Sequence, residues 1–114
     1  MQTNFFSPQS EWLPPKNFPD LSDAKEIAFD LETKDTQLKS RGPGWMTNNG
    51  HIIGVAVAVD GWKGYYPIRH ENGFNFDPGR VLKWTAKTLS TDAIKIAHNA
   101  VYDLGWLHAE GIKV

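Results

Sequence analysis

The sequence predicts an α/β fold, a mixed sheet laid down in the order β-β-β-α-β-α. Three observations carry this expectation. The apolar run Lys25–Thr33 alternates as a strand does and holds two acids, Asp30 and Glu32, on one of its sides. His51–Val59 alternates too, ends at Asp60-Gly61, and is answered by a second apolar stretch, which is the pattern of a hairpin. Helix punctuation then brackets a short apolar run: Asp77-Pro78 opens one helix and Gly111 closes another.

The elements follow in order. Residues 1–23 contain four of the seven prolines (Pro8, Pro14, Pro15, Pro19) and no sustained periodicity, so they read as an extended arm. Phe5, Phe6, Trp12, Leu13 and Phe18 suggest that the arm is pinned to the domain formed by residues 24–114. The first strand covers roughly Glu26–Thr33, with Ile27, Phe29 and Leu31 on one face. A polar stretch from Lys34 to Gly50 follows; a loop that long is usually functional or mobile. In His51–Val59, Ile53, Val55, Val57 and Val59 share one face; Ile52, Gly54, Ala56 and Ala58 share the other. Both faces are apolar, so the strand is central and covered on both sides. Trp62–Ile68 returns beside it, with Pro67 near its end. A helix runs from Pro78 to about Leu89, with Asp77 as its N-cap. Ala93–Ala97 is a short strand that joins beside the first. Asn99 is a candidate cap for a helix over about Ala100–Glu110, with Val101, Leu104 and Leu107 facing the core. Ile112-Lys113-Val114 has the composition of a further strand's opening.

At 114 residues and 40% hydrophobic, the chain holds one domain with a small core. Lys+Arg 12 against Asp+Glu 13 removes the basic excess of many nucleic-acid binders, so phosphate contacts must come from a local cluster or from metal. The absence of Cys excludes disulfides, thiolate zinc sites and a cysteine nucleophile. No window approaches 18 consecutive apolar residues and the N-terminus lacks a signal-peptide pattern. The expected location is the cytoplasm.

Asp30 and Glu32 are adjacent acids on one side of a strand. Such a pair repels itself and loses hydration, and the usual compensator is a hard divalent cation with oxygen ligands. Asn99, Asp103, Trp106 and Glu110 form a second stripe, at i, i+4, i+7 and i+11. By itself Asp103 is ordinary dipole compensation in a first helical turn. A pair of acids on a neighbouring strand gives it a second reading. In the polar stretch, Lys34, Lys39, Arg41 and an exposed-looking Trp45 suit a nucleic-acid strand, or equally a solvated loop with one anchoring Trp.

Taken together, Asp30-Leu31-Glu32 and Asn99-Ala100-Val101-Tyr102-Asp103 resemble the first two motifs of the 3′–5′ proofreading exonuclease domain of family A DNA polymerases. That domain lies in the DEDD, RNase H-like superfamily. Gly64-Tyr65-Tyr66-Pro67-Ile68 and His98–Leu104 look most like the phage-type members. The resemblance covers about Lys25–Val114. It implies an RNase H-like fold and two Mg²⁺ or Mn²⁺ ions held by Asp30, Glu32 and Asp103, with Asp30 bridging both. One ion would lower the pKa of the attacking water and the other would stabilise the departing 3′ oxygen. Residues i and i+2 of a strand lie about 6.6 Å apart, compatible with such a pair. The implied substrate is the 3′ end of single-stranded DNA. It implies nucleic-acid contacts at Asn99, Tyr102, Thr33 and Leu38, beside the Lys34, Arg41 and Trp45 read from the polar stretch.

The family's third motif, Tyr- or His-x3/4-Asp on a later helix, has no counterpart. The expectation is therefore a fragment, a shortened relative or a split half, with a polymerase domain or second chain supplying the missing carboxylate. A non-catalytic module that binds nucleic acid or a polymerase is the alternative, and a small α/β domain with an accidental motif match is the third. Four histidines (His51, His70, His98, His108) fit no standard ligand spacing. The serines lie in no nucleophile elbow, and Gly42-x-Gly44 lacks the rest of a phosphate loop.

Overall fold

A computed structural model describes residues 13–114. Among them the elements run β1 (Glu26–Lys34), α1 (Leu38–Arg41), α2 (Gly44–Thr47), β2 (His51–Val59), β3 (Trp62–Pro67), α3 (Pro78–Leu89), β4 (Ile94–Ala97) and α4 (Ala100–Ala109). The four strands form one sheet in the order β3-β2-β1-β4. β1, β2 and β3 are an antiparallel meander, and β4 lies parallel to β1. The chain is thus mixed α/β, as its sequence predicts.

The turn at Asp60-Gly61 needs a glycine, whose φ is +84°. Asp77 caps α3 by accepting from the Arg80 N–H at 2.9 Å, and Pro78 takes the first helical position, where no N–H is required. α4 ends in a Schellman turn. The Ile112 N–H reaches the Leu107 carbonyl and the Gly111 N–H reaches that of His108, both at 2.9 Å, with Gly111 at φ +80°.

The core lies on the β1 face bearing Ile27, Phe29 and Leu31. Ile52, Val55, Val57, Tyr66, Ile68, Val81, Trp84, Leu89, Trp106, Leu107 and Ile112 complete it. Part of the N-terminal arm is fastened there. Phe18 stacks on Tyr66 with centroids 5.0 Å apart, and the Trp84 indole donates to the Pro19 carbonyl at 2.9 Å. The Tyr66 hydroxyl donates to the Asn17 carbonyl at 2.7 Å. Leu13 is exposed, unlike the expectation, and Phe5, Phe6 and Trp12 lie outside the described residues.

Four expectations need correction. First, the stretch from Lys34 to Gly50 is not structureless: it folds into α1 and α2. Second, β2 does not alternate throughout. Glu32 faces Gly54 but Thr33 faces Ile52, so Ile53 is an extra residue in a bulge. The slip turns Ile52 to full burial and leaves Ile53 half-buried. Third, α4 is rotated from its predicted setting. Val101 is 76% exposed and Leu104 is exposed as well, while Asp103, Trp106 and Leu107 are buried. Fourth, Ile112 folds back into the core through the Schellman turn, and residues 112–114 form no strand.

Candidate active site

Position in β1 explains the setting of the two strand acids. Asp30 pairs across the sheet with Ala56 and Glu32 with Gly54. Small neighbours leave space above the acids. Tyr65, which pairs with Ala56 from the other side, fills part of it. A Cβ at residue 54 would lie 1.8 Å from the Tyr65 hydroxyl oxygen, so only glycine lets that ring cross. The Tyr65 hydroxyl then donates to Glu32 Oε2 at 3.3 Å and sits 2.5 Å from His70 Nε2. Burial, reinforced by the charge of Glu32, pushes the Tyr65 phenol well above its ordinary pKa. Asp30 and Glu32 are both half-buried. Burial also raises the Asp30 carboxyl, against the backbone N–H of Leu31 and the nearby His98.

Asp103 enters from the first turn of α4. It is 2% exposed, and its Oδ2 is buried without a hydrogen-bond partner. Its pKa is pushed up to about 6, first by burial and then by the negative charge of Asp30. His98, at the turn between β4 and α4, opposes the shift of both carboxyls.

Contacts around Tyr102 fix the position of α4. Its hydroxyl donates to Asp35 Oδ2 at 2.8 Å, so the Thr33 hydroxyl, 2.9 Å away, donates to it. Asp35 Oδ2 also accepts the Gly44 N–H at 3.0 Å. One carboxylate thereby joins the end of β1, the start of α2 and the first turn of α4. Trp45 lies on Gly105: a Cβ there would be 2.2 Å from the indole. α4 can approach this closely because residue 105 has no side chain.

The remaining sequence-predicted residues are distributed along this junction. Lys34 is exposed and pairs with Glu71 at 3.0 Å. Leu38 and Arg41 are exposed on α1. Trp45 is half-buried against α4, not exposed. Asn99 occupies the N-cap of α4, but its side chain makes no capping hydrogen bond. Sequence reasoning missed Tyr65, His70, Asp35 and Gly105. The one available signal was Gly54, an isolated glycine inside an apolar strand, which marks a close approach.

The donors suit a hard divalent cation: oxygens, with an unpartnered buried Asp103 Oδ2 beside a second acid that repels it. Among the described residues, however, no three His, Asp or Glu side chains are grouped as a ready-made metal cage. No helix among the described residues is long and apolar enough to cross a membrane.

No family model matches the chain. Among curated proteins it is similar to a DNA-directed DNA polymerase of Pseudomonas phage M6, with 37% identity over 116 aligned residues. The match takes in 96% of this chain but 17% of that polymerase. Over nearly its whole length, then, the chain is similar to a short stretch of a phage DNA polymerase.

Proposed function

We propose that the chain is part of an RNase H-like 3′–5′ exonuclease site associated with a DNA polymerase, acting on the 3′ end of single-stranded DNA. The observation that carries this reading is Asp103: a buried carboxyl with an unpartnered oxygen, delivered by a distant helix to a strand acid of the same sign. An isolated pair of that kind is costly, and a divalent cation relieves it. The meander with β4 parallel beside β1, the two sequence motifs and the polymerase relative all support the reading.

Asp30, Glu32 and Asp103 would hold Mg²⁺ or Mn²⁺. When bound, such ions would supply a water of lowered pKa and would neutralise charge on the leaving oxygen. The chain's own residues do the rest. The Tyr102–Asp35 contact holds α4, and with it Asp103, near Asp30. Lys39 and Arg41 on exposed α1 supply cationic charge for a phosphate backbone, and exposed Leu38 beside them offers an apolar contact for a base.

Mn²⁺ titration together with digestion of a 3′-labelled single-stranded DNA tests the proposal. Saturable binding that is lost in Asp30→Ala, with stepwise shortening of the DNA, is the expected result. Binding without shortening would mean a site that still needs a further carboxylate. The absence of both would overturn the reading. One observation favours a second function, a non-catalytic module that binds nucleic acid or a polymerase: the three acids are not grouped as a metal cage. That module would bind the same DNA with no dependence on Mn²⁺.

A further inference from the structure

A hydrogen-bonded series runs from Glu32 out to the segment after β3, and nothing in the two-motif reading uses it. Tyr65 spans the gap over Gly54 to reach Glu32 Oε2. Behind it, His70 Nε2 lies 2.5 Å from the same hydroxyl, and the two rings meet edge-on with centroids 5.8 Å apart. His70 is in turn clamped through its backbone. Its N–H donates to Asn75 Oδ1 at 2.8 Å, and the Asn75 amide donates back to its carbonyl at 2.9 Å. The contacts form a series: Asn75 on the His70 backbone, the His70 ring on the Tyr65 hydroxyl, and that hydroxyl on the Glu32 carboxylate.

A tyrosine hydroxyl has one proton. Donated to Glu32, it leaves the oxygen lone pairs to accept from His70, so Nε2 carries a proton in this arrangement. Ligating carboxylates are commonly oriented by such outer partners, and losing one typically costs about 10–100-fold in metal affinity. We propose that Tyr65 is a positioning residue that orients the Glu32 carboxylate for cation binding, with His70 and Asn75 holding its hydroxyl in place. This rests on the exonuclease-site reading above. It adds that the site's geometry is set in part by residues 70–75, a segment outside both acidic motifs.

The test is a double-mutant cycle on the full chain, read by Mn²⁺ affinity. Tyr65→Phe keeps the ring and removes the hydroxyl; it is expected to weaken Mn²⁺ binding about tenfold. In a Glu32→Gln background the same change is expected to do nothing further, a coupling that general loosening of the fold would not produce. Gly54→Ala, which displaces the ring sterically and leaves every polar group intact, is expected to reproduce the loss. In the metal-free protein the Tyr65 ring ¹³Cζ resonance should move on Glu32→Gln. Equal Mn²⁺ affinity for the unmodified and Tyr65→Phe proteins would overturn the inference and leave the metal site standing. Failure of the unmodified chain to bind Mn²⁺ would overturn the metal site itself, and the positioning role with it.

Discussion

Burial and the adjacent charge of Asp30 hold the Asp103 carboxyl near pH 6, against an ordinary value of 3.8. The native state therefore binds more protons than the unfolded state between about pH 4 and 6, and stability falls as pH rises through that window. Without metal, Asp103→Asn is expected to stabilise the chain at pH 7 by about 1–3 kcal/mol and to flatten its stability between pH 4 and 6. Urea unfolding at a series of pH values reads both. The Tyr102 hydroxyl presents the opposite case. Tyr102→Phe removes a donor from Asp35 and is expected to cost about 1–3 kcal/mol, seen as a lower urea midpoint. As candidates for the proposed site, Asp30, Glu32 and Asp103 were legible in the sequence because their spacing is local to each motif. The hydroxyl of Tyr65 was not, because its reach depends on a cross-strand register that places it over Gly54.

Boundaries of α3 and β2 follow directly from the sequence, since caps, turns and alternation are local signals. The rotation of α4 does not. Val101 and Leu104 are more apolar than Asp103, yet those two face outward while Asp103 turns inward with Trp106 and Leu107. Three contacts from other elements set that rotation: Thr33 and Asp35 on Tyr102, and Trp45 on Gly105. The Ile53 bulge was hidden for a similar reason, because a one-residue slip is a property of a strand pair and not of one strand. Gly105→Ala sets a local rule against a tertiary one. Alanine is the better helix former by about 1 kcal/mol, but its methyl would strike the Trp45 indole. The expected outcome is a net loss of roughly 1–3 kcal/mol, with a red shift in tryptophan fluorescence as Trp45 leaves α4.

Across the molecule, one face of the sheet carries the core and the other carries Asp30 and Glu32. Cation binding to the native form alone adds RT ln(1 + [L]/Kd), about 2.7 kcal/mol at a hundredfold excess over Kd. For a domain of this size, Mn²⁺ should therefore raise Tm by roughly 10 °C, measured by scanning calorimetry, and should do so much less in Asp103→Asn. The class of fold was readable from element order. The junction that unites β1, α2 and α4 was not, because Asp35 and Gly105 carry no signature until the chain is folded.

Among the described residues β4 lies at the margin of the sheet, at the opposite side from β3. Ile94 and Ile96 on it are 63% and 48% exposed, and among the described residues no strand pairs with its outer backbone amides. Such a rim is a template for unwanted pairing between molecules. In concentrated solution the chain should self-associate, and sedimentation should show the average mass climbing with loading. Replacing both isoleucines by lysine should restore a single slow boundary at little cost in folding, since neither belongs to the core.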